Sequence, residues 1–315
     1  MDREPTTVIV TVRNEEASID ALLDSLLGGT RAPDEIVVGD GGSTDATRDR
    51  LRARAAADPR VRFLVAPGNR SVGRNAAVRA ARHDVIACTD AGGEVEPAWL
   101  EAIVRPFADD PGVDVVAGFY QPAGETLFER AAGVVSAPSL EEVDRARFLP
   151  STRSVAFRRR AWERVRGFDE ALDHNEDTPF ALALKAAGCR FVFAPDAIVR
   201  WRPRGDLRAF FRQHRRFGLG DGESRVQGSF YARIGAKYGM ALALLAAGFR
   251  FRPAWWLLVA AALVFAIQQA RRARGRVAPL AALVWIPALK IVYDAAYLWG
   301  YLKGRLSPRR APAPR

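Results

Sequence analysis

The sequence predicts an α/β fold in which a doubly wound, mostly parallel sheet has helices on both faces and is followed by apolar carboxyl-terminal helices. Short runs rich in β-branched residues alternate with amphipathic helical segments over residues 1–235. Polar clusters directly follow several of these runs. From residue 236 onward the chain changes to long apolar segments with basic flanks. The first two observations predict a sheet with one functional edge, and the third predicts a separate carboxyl-terminal region.

Five apolar runs are predicted as strands. They are Thr7–Val12, Glu35–Gly39, Val61–Ala66, Asp84–Thr89 and Val113–Phe119. Between the first two runs, apolar residues at positions 19, 22, 23, 26 and 27 follow the spacing of an amphipathic helix, which Gly28 and Gly29 end. Strands that are apolar along their whole length are typical of parallel sheets, because helices cover both faces.

The net charge of +11 is concentrated in the last part of the chain. From Ala236 to the end there are 13 Lys and Arg residues against one acid, Asp294. Removing these from the totals of 47 basic and 36 acidic residues leaves 34 and 35, so the preceding region is about neutral. A nucleic-acid-binding protein carries its basic surplus on a folded polar face, whereas here it borders apolar segments. The pattern argues against nucleic acid as a partner and favours membrane lipids with anionic headgroups.

The apolar segments after residue 235 are predicted to associate with a membrane. The segments Ala254–Ala270 and Val277–Leu302 come near or exceed the length of about 20 residues that a spanning helix needs. A shorter apolar run at 238–249 precedes them, so two to three segments are expected, with their topology left open. Tryptophans and basic flanks suit the membrane interface. The alternative is a set of buried helices in a soluble domain.

Three regions follow from these patterns. Residues 1–235 are predicted as a globular domain, 236–303 as membrane-associated helices, and 304–315 as a basic, Pro-rich disordered tail. The amino terminus lacks the basic-then-apolar pattern of a secretory leader. The expected location is therefore the cell (inner) membrane, with the first domain on the cytoplasmic side.

Two further features are interpreted as structural. Cys88 and Cys189 lie in apolar runs, which indicates small core residues and not a disulfide or a metal site. The arginine run at positions 158–160 is interpreted as a solvated turn.

Polar residues follow three of the predicted strands. Arg13, Asn14 and Glu15 follow the first, Asp40–Asp45 the second and Asp90 the fourth. In open α/β sheets, ligands bind at the carboxyl ends of the strands. The three clusters therefore predict one crevice.

The stretch DEIVVGDGGSTDATRD, Asp34–Asp49, is the most specific of these signals. An acid at a strand end, Asp40, is followed by two glycines and by Ser43 as a helix cap, which leaves one carboxylate beside free backbone N–H groups. An ordinary strand–turn–helix unit is the alternative. The preceding VIVTVRNEE, Val8–Glu16, favours the functional interpretation.

With VGRNAAVRAA (Val72–Ala81), CTDAG (Cys88–Gly92) and GFDEALDHNED (Gly167–Asp177), these motifs resemble those of inverting family 2 glycosyltransferases with the GT-A fold. The resemblance covers roughly residues 5–220 and implies a GT-A-type sheet. It implies a donor-nucleotide site made of Thr11, Arg13, Glu15, Asp40, Arg74 and Asp90. Within it, Asp40 would contact the base, Arg74 would lie near the base and phosphates, and Asp90 would meet the ribose.

The resemblance also implies that Asp177 is the catalytic base. Displacing a nucleoside diphosphate from a sugar carbon needs a base on the acceptor hydroxyl and stabilisation of the leaving phosphates. Asp177 follows Glu176 and precedes a helix with Pro179 in its first turn, where a carboxylate is favoured in its ionised form. A helix-capping acid is the alternative interpretation.

The family's metal motif is incomplete in this sequence. Where the family has Asp-x-Asp, this chain has Asp90, Ala91 and Gly92, so the second acid is missing. The expectation is a retained but weaker Mg²⁺ or Mn²⁺ site at Asp90, alone or with Glu94, because hard cations need oxygen ligands. The alternative is that arginines supply part of the charge.

A basic segment, Trp201–Gly222, precedes the apolar region. Within it Gln213–Phe217 resembles a Gln-x-x-Arg-Trp element of processive polysaccharide synthases, but Phe217 replaces the tryptophan, which puts processivity in doubt. Gln213 and Arg216, with Glu176, are predicted to contact the acceptor or the diphosphate. An interfacial helix whose arginines meet lipid headgroups is the alternative.

The sequence therefore predicts an inverting transferase that moves a sugar from a nucleotide-diphosphate donor, expected to be a UDP-sugar, to a hydroxyl or lipid-phosphate acceptor at the cytoplasmic membrane face. Lipid-linked and polysaccharide acceptors both fit, in glycolipid or cell-envelope polysaccharide biosynthesis. The alternative is a catalytically inactive, membrane-anchored protein that binds nucleotide sugars or acts as a scaffold. A nicotinamide-dependent dehydrogenase is excluded, because RNEEAS follows the first strand in place of Gly-x-Gly-x-x-Gly.

Overall fold

The computed structural model describes residues 4–307, and these fall into two compact units. Unit 1 comprises residues 4–121 and 142–201. Unit 2 comprises residues 122–141 and 202–307. The last part of the predicted disordered tail, residues 308–315, lies outside the described residues.

Unit 1 is built around an eight-stranded sheet. Its strands are β1 Thr6–Val12, β2 Glu35–Asp40, β3 Val61–Val65, β4 Val85–Asp90, β5 Gly93–Val95, β6 Val115–Pro122, β7 Val155–Arg158 and β8 Phe191–Trp201. The order is β3-β2-β1-β4-β7-β6-β8-β5. The first four in this order are parallel, whereas β7 is antiparallel to both β4 and β6, and β5 is antiparallel to β8.

Eleven α-helices occur in the described chain. They are α1 Ile19–Leu27, α2 Thr47–Ala57, α3 Arg70–Ala80, α4 Trp99–Asp109, α5 Leu127–Ser136, α6 Arg159–Arg164, α7 Asp177–Ala186, α8 Leu207–Ser224, α9 Gly228–Gly248, α10 Pro253–Arg272 and α11 Pro279–Leu306. Helix α5 and helices α8 to α11 belong to unit 2. The remaining helices belong to unit 1.

The sheet of unit 1 is buried on both faces, as the continuous apolar runs predicted. Alternate residues of one strand enter different hydrophobic clusters: Val8 and Val10 lie in one cluster, and Ile9 between them lies in the other. Cys88 and Cys189 are both free and buried, which confirms their interpretation as core residues. The predicted α/β sheet with helices on both faces is confirmed.

The strands that sequence patterns missed are those that depend on tertiary partners. Strands β5 and β7 have only three and four residues, too few to show a period of their own. Strand β8 contains Pro195, which disfavours a strand assignment from sequence. The predicted strand Val113–Phe119 forms as β6 but is antiparallel to β7.

The interpretation of positions 158–160 as a solvated turn is wrong. Arg158 ends β7, is only 7% exposed, and pairs with Glu4 at 3.0 Å and Asp84 at 3.1 Å. Arg159 begins α6 and donates hydrogen bonds to three backbone carbonyl groups at distances of 2.6 to 3.1 Å. Carboxylates and carbonyl groups take the place of water around these side chains, so the run is part of the fold.

In unit 2, helices α8 and α11 approach each other with their backbones in contact. Four glycines make this possible: Gly218, Gly222, Gly300 and Gly304. A Cβ atom at any of them would overlap with backbone atoms of the facing helix, such as the carbonyl oxygen of Tyr297 opposite Gly218. Helix α8 therefore belongs to the same compact unit as α11, and the domain boundary predicted at residue 235 stays a prediction. Helix α11 extends to Leu306, so the predicted tail is helical over its first residues.

Two helices of unit 2 are long and apolar enough to cross a membrane. They are α10 and α11, with mean hydropathies of 1.5 and 1.4 over their most apolar windows. The window in α10 is 6% buried, and Trp256 on it is 75% exposed. Inside α11 the single acid Asp294 is fully buried and paired with Lys237 and Lys290. Large apolar side chains thus face outward, and the one acid within α11 is paired with lysines, an arrangement that suits membrane association.

The packing of α8 on α11 predicts opposite effects for the same substitution at two glycines. Gly300→Ala should destabilise the protein by about 1–3 kcal/mol, because the added methyl group meets backbone of α8. Gly239→Ala, on the exposed side of α9 with open space around it, should stabilise by up to about 1 kcal/mol through helix propensity. Thermal unfolding of the detergent-solubilised chain checks both, and equal effects of the two variants would contradict the close contact.

Candidate active site

The carboxyl ends of the parallel strands of unit 1 form one edge, where the predicted crevice lies. Thr11 is paired with Gly39 on one side and with Asp90 on the other. Strand β7 runs antiparallel to β4, with Val155 opposite Cys88, so the residues just before β7 lie at this same edge. Side chains from the ends of β1, β2 and β4 and from the start of β7 are therefore neighbours.

Two loops at this edge are joined by hydrogen bonds. The Asn14 N–H donates to Ser43 Oγ at 2.9 Å, and Asn14 Oδ1 accepts from the Thr44 N–H at 2.9 Å. The Glu15 N–H donates to Thr47 Oγ1 at 2.8 Å. These contacts hold the loop after β1 against the loop after β2. Two of the predicted donor-site residues lie on the first loop: Arg13 is exposed and Glu15 is half-buried.

Asp40 ends β2 and is fully buried. Its carboxylate accepts hydrogen bonds from the Ser43 N–H at 3.0 Å and from the Ser43 hydroxyl group, and it lies 3.4 Å from Arg48 Nε. The carboxylate therefore organises the turn and exposes no surface to a ligand in this structure. Its predicted contact with a nucleobase stays a prediction.

Arg74 joins two other predicted site residues, Asp90 and Glu176, that lie far apart in the sequence of unit 1. The guanidinium lies on α3, is 1% exposed, and donates to Asp90 Oδ1 at 2.8 Å through Nη2 and to Glu176 Oε1 through Nη1. Burial alone would lower the pKa of Arg74, but Glu176 and Asp90 outweigh it and raise that pKa above its ordinary value. The side chain is a permanent cation that fixes the end of β4 against the start of α7.

The neighbouring carboxylates Asp90 and Asp177 have opposite properties. Burial acts to raise the pKa of Asp90, but Arg74, Arg153 and Arg70 outweigh it and hold that pKa below its usual value. Burial raises the pKa of Asp177, and the adjacent Glu176 adds to the effect against the opposing influence of Arg74. Asp90 is therefore a fixed anion, whereas Asp177 has a raised affinity for a proton. The ionised form expected for Asp177 at a helix N-terminus is thus not favoured, because burial and Glu176 outweigh that effect.

Asp177 is the first residue of α7 and is held in one orientation. Its Oδ2 accepts a hydrogen bond from Ser151 Oγ at 2.9 Å, and its Oδ1 accepts one from the Thr178 N–H at 2.9 Å. An oriented carboxylate with a raised pKa is the kind of group that removes a proton from a bound hydroxyl. This geometry suits the base predicted at this position.

Three residues at this edge were not found by sequence reasoning. Arg153 lies with its guanidinium carbon 5.5 Å from the ring centre of Tyr120 and 5.0 Å from that of Trp201. Burial raises the pKa of Tyr120, Arg153 opposes this effect and Asp177 adds to it, so its phenol stays neutral. No motif marks these residues, because they lie in or beside three strands, β6, β7 and β8, whose pairing no sequence pattern predicted.

The remaining predicted contacts, Gln213 and Arg216, lie on α8 in unit 2. Gln213 is half-buried and Arg216 is exposed. Their predicted role at an acceptor or a diphosphate stays a prediction.

The donor set around Asp90 does not fit a divalent-cation site built by the protein. Asp90 offers one carboxylate, which already accepts from Arg74, and Ala91 and Gly92 offer no side-chain oxygen. Glu94, its other candidate ligand, lies on β5 and lines a surface cavity of about 450 Å³ that Asp24 and Arg200 also line. Within residues 4–307, no group of three or more His, Cys, Asp or Glu side chains is placed to hold a metal ion. Hard cations are bound by several oxygen ligands, and this site supplies one.

Comparisons with known proteins agree with this architecture. A relative from Rhizobium meliloti (strain 1021), the succinoglycan biosynthesis protein ExoA, is 27% identical over 324 residues, covering 97% of this chain and 96% of its own. The uncharacterized glycosyltransferase EpsJ of Bacillus subtilis (strain 168) is 29% identical over 189 residues, covering 56% and 55%.

Among solved structures, the mannosyltransferase PcManGT from Pyrobaculum calidifontis, in complex with GDP-Man and Mn²⁺, superposes with a TM-score of 0.58. It is 21% identical and covers 95% of this chain and 88% of its own. Glucosyl-3-phosphoglycerate synthase from Mycobacterium tuberculosis, with Mn²⁺, UDP and phosphoglyceric acid, has a TM-score of 0.51, is 18% identical, and covers 69% and 77%. These likenesses show the GT-A fold.

The model of glycosyl transferase family 2 matches residues 7–172. That range includes the loops after β1 and β2, helix α3 with Arg74, and the end of β4 with Asp90. The chain therefore belongs to glycosyl transferase family 2 and is a glycosyltransferase with the GT-A fold.

Proposed function

We propose that this glycosyltransferase inverts the sugar carbon as it transfers a sugar from a nucleotide-diphosphate donor, expected to be a UDP-sugar, to a hydroxyl or lipid-phosphate acceptor. The observation that carries the proposal is Asp177, a half-buried and oriented carboxylate with a raised pKa. Glu176 beside it is tied to Asp90 through Arg74, at the sheet edge where the donor would bind. An acceptor that binds as a lipid phosphate would arrive ionised and would need less help from the base.

The proposed chemistry is a single displacement. Asp177 takes the proton of the acceptor hydroxyl as its oxygen forms a bond to the anomeric carbon. The bond from that carbon to the diphosphate oxygen breaks, and its electron pair leaves with the nucleoside diphosphate. Attack from the face opposite the leaving group inverts the configuration. Fixed positive charge at the strand edge stabilises the departing phosphates, since a water-excluded site strengthens such interactions.

Membrane action is supported by unit 2. Helices α10 and α11 have the length and composition to span, and apolar side chains such as Phe249, 82% exposed, extend the apolar surface. The relative named for succinoglycan biosynthesis aligns over nearly the whole chain. We propose that the acceptor is a lipid-linked or polysaccharide precursor at the cytoplasmic face of the inner membrane.

The donor and the acceptor class are tested together. Membranes that contain the full chain are incubated with radiolabelled UDP- and GDP-sugars, lipids are extracted, and label is followed into lipid and polymer fractions. We expect label from a UDP-sugar in one fraction, and none with the Asp177→Asn variant. A protein that binds nucleotide sugars without catalysis would release no nucleoside diphosphate from any donor, and that result would favour the inactive alternative.

The base assignment predicts that Asp177→Asn separates binding from chemistry. The kcat for transfer should fall by roughly 100-fold or more, because a general base contributes that much. The Kd for the nucleoside diphosphate should stay unchanged, since the amide keeps the shape of the side chain. The matched control is Asp196→Asn, an exposed carboxylate on β8, which should leave both quantities unchanged. Wild-type kcat in Asp177→Asn would remove the base assignment.

The raised pKa of Asp177 predicts the pH profile. Burial is its main cause and Glu176 adds to it, so Glu176→Gln should lower the pKa of Asp177. The base works in its ionised form, so activity is lost as the pH falls through the pKa of Asp177. In Glu176→Gln the acid limb of kcat/KM should therefore move to lower pH. Glu163→Gln on α6, an exposed change of the same type, should not move it. An acid limb that stays in place in Glu176→Gln would show that another group controls it.

A further inference from the structure

Arg153 has a guanidinium group with no anionic partner. Among residues 4–307, no carboxylate lies within ion-pair distance of it, although the side chain is only half-exposed. Its close neighbours are instead the rings of Tyr120 and Trp201, at 5.5 and 5.0 Å. Two aromatic rings hold a planar cation in place and leave its N–H groups free to donate.

Strand pairing brings Arg153 to the same sheet edge as Asp90. In the antiparallel pair of β4 and β7, Cys88 lies opposite Val155, so Asp90 at the end of β4 and Arg153 in the turn just before β7 lie at one edge of the sheet. Arg153 also lowers the pKa of Asp90 and opposes the rise in that of Asp177. Arg153 therefore acts both on the acid of the incomplete metal motif and on the predicted base.

A second polar group beside Arg153 also lacks a partner. Trp201 is 8% exposed, and its indole Nε1–H is buried with no hydrogen-bond acceptor in the described part of the chain. A buried donor without an acceptor costs free energy unless a ligand satisfies it. Arg70, at the start of α3, is a further cation that acts on Asp90 and forms no ion pair within residues 4–307. The unpaired indole N–H of Trp201 and the cations Arg153 and Arg70 together indicate that an anion binds at this edge.

We propose that Arg153 binds the donor diphosphate through its guanidinium and supplies the positive charge for which the protein offers no divalent-cation site. A guanidinium donates two parallel hydrogen bonds to phosphate oxygens and remains charged at any working pH. Arg74 is less suited to this task, because Asp90 and Glu176 already occupy its two Nη groups. The inference rests on the proposed function and names the residue that holds the leaving group.

The position of the missing acid supports this assignment. A Cβ atom built on Gly92 meets no heavy atom within 4 Å, so packing does not exclude a side chain there. Packing therefore does not explain the absence of a second carboxylate, and a carboxylate added at position 92 would restore the Asp-x-Asp spacing with Asp90. The Gly92→Asp variant tests the opposite case, in which Asp90 and an added aspartate together bind a divalent cation.

Binding of UDP and GDP to the purified full chain in detergent, measured by calorimetry in EDTA, tests the inference. Wild-type protein should bind one of them without metal. Arg153→Ala should weaken that binding by roughly 10-fold or more, while binding of the matching nucleoside without phosphates stays unchanged. Arg105→Ala on α4, an exposed arginine with no ion pair in the described residues, is the matched control and should bind like wild type.

Two further variants keep the test decisive if Arg153→Ala is poorly folded. Arg153→Lys keeps the charge without the planar fork and should bind with intermediate affinity. Arg153→Ala combined with Gly92→Asp should bind the diphosphate in Mn²⁺ and not in EDTA, because it exchanges a cationic side chain for a second acid.

The outcomes separate this inference from the proposed function. If wild-type protein binds UDP or GDP only in Mn²⁺ and Arg153→Ala and Arg153→Lys bind equally well, the inference is wrong and the proposed function stands. If wild-type protein binds neither nucleotide with or without Mn²⁺, the proposed function falls and the inference with it. Loss of affinity in EDTA that is confined to the Arg153 variants supports both.

Discussion

One buried guanidinium holds the functional edge of unit 1 together. Arg74 bonds Asp90 at the end of β4 and Glu176 just before α7, two residues that lie 86 positions apart. A buried cation is tolerable only when carboxylates surround it, and a buried carboxylate only when a cation does, so the three groups require one another. Removing Arg74 would leave the buried carboxylate of Glu176 without its cationic partner. The position of the base, one residue after Glu176, therefore depends on an ion pair that takes no part in proton transfer.

The same charges set the chemical difference between two aspartates. Asp90 has three arginines acting on it and stays ionised, whereas Asp177 has burial and an adjacent glutamate acting against its charge. Both pKa changes, the lowering at Asp90 and the rise at Asp177, are caused by the surroundings of each side chain. At this sheet edge one aspartate is held ionised and the other has a raised pKa. Catalytic sites commonly contain carboxylates whose pKa values have been moved apart in this way. Glu176 contributes to the second of these properties, the raised pKa, because its charge disfavours ionisation of Asp177.

Sequence patterns predicted the parts of the molecule in which neighbouring residues carry the signal. Strands β1 to β4 are continuous apolar runs, and their ends carry the polar residues that gave the crevice and the motifs around Asp40 and Asp90. The family itself was recognisable from those motifs. Arg153 was not recognisable as a site residue from sequence. Its role depends on contacts with Tyr120 and Trp201, which lie beside it only because β6, β7 and β8 are neighbours in the sheet. Contacts between residues so far apart in the chain leave no periodic or local pattern in the sequence.

The glycine-lined contact of α8 with α11 has a practical consequence for work on the isolated enzyme. A truncation at residue 235, where the hydropathy changes, would remove α11 and leave Gly218 and Gly222 of α8 facing solvent along a bare strip of backbone. Such a fragment would lose its largest packing surface in unit 2 and tend to aggregate or unfold. Helix α11 thus supports the arginine-rich helix α8, and fragments that lack it are poor substitutes for the intact polypeptide.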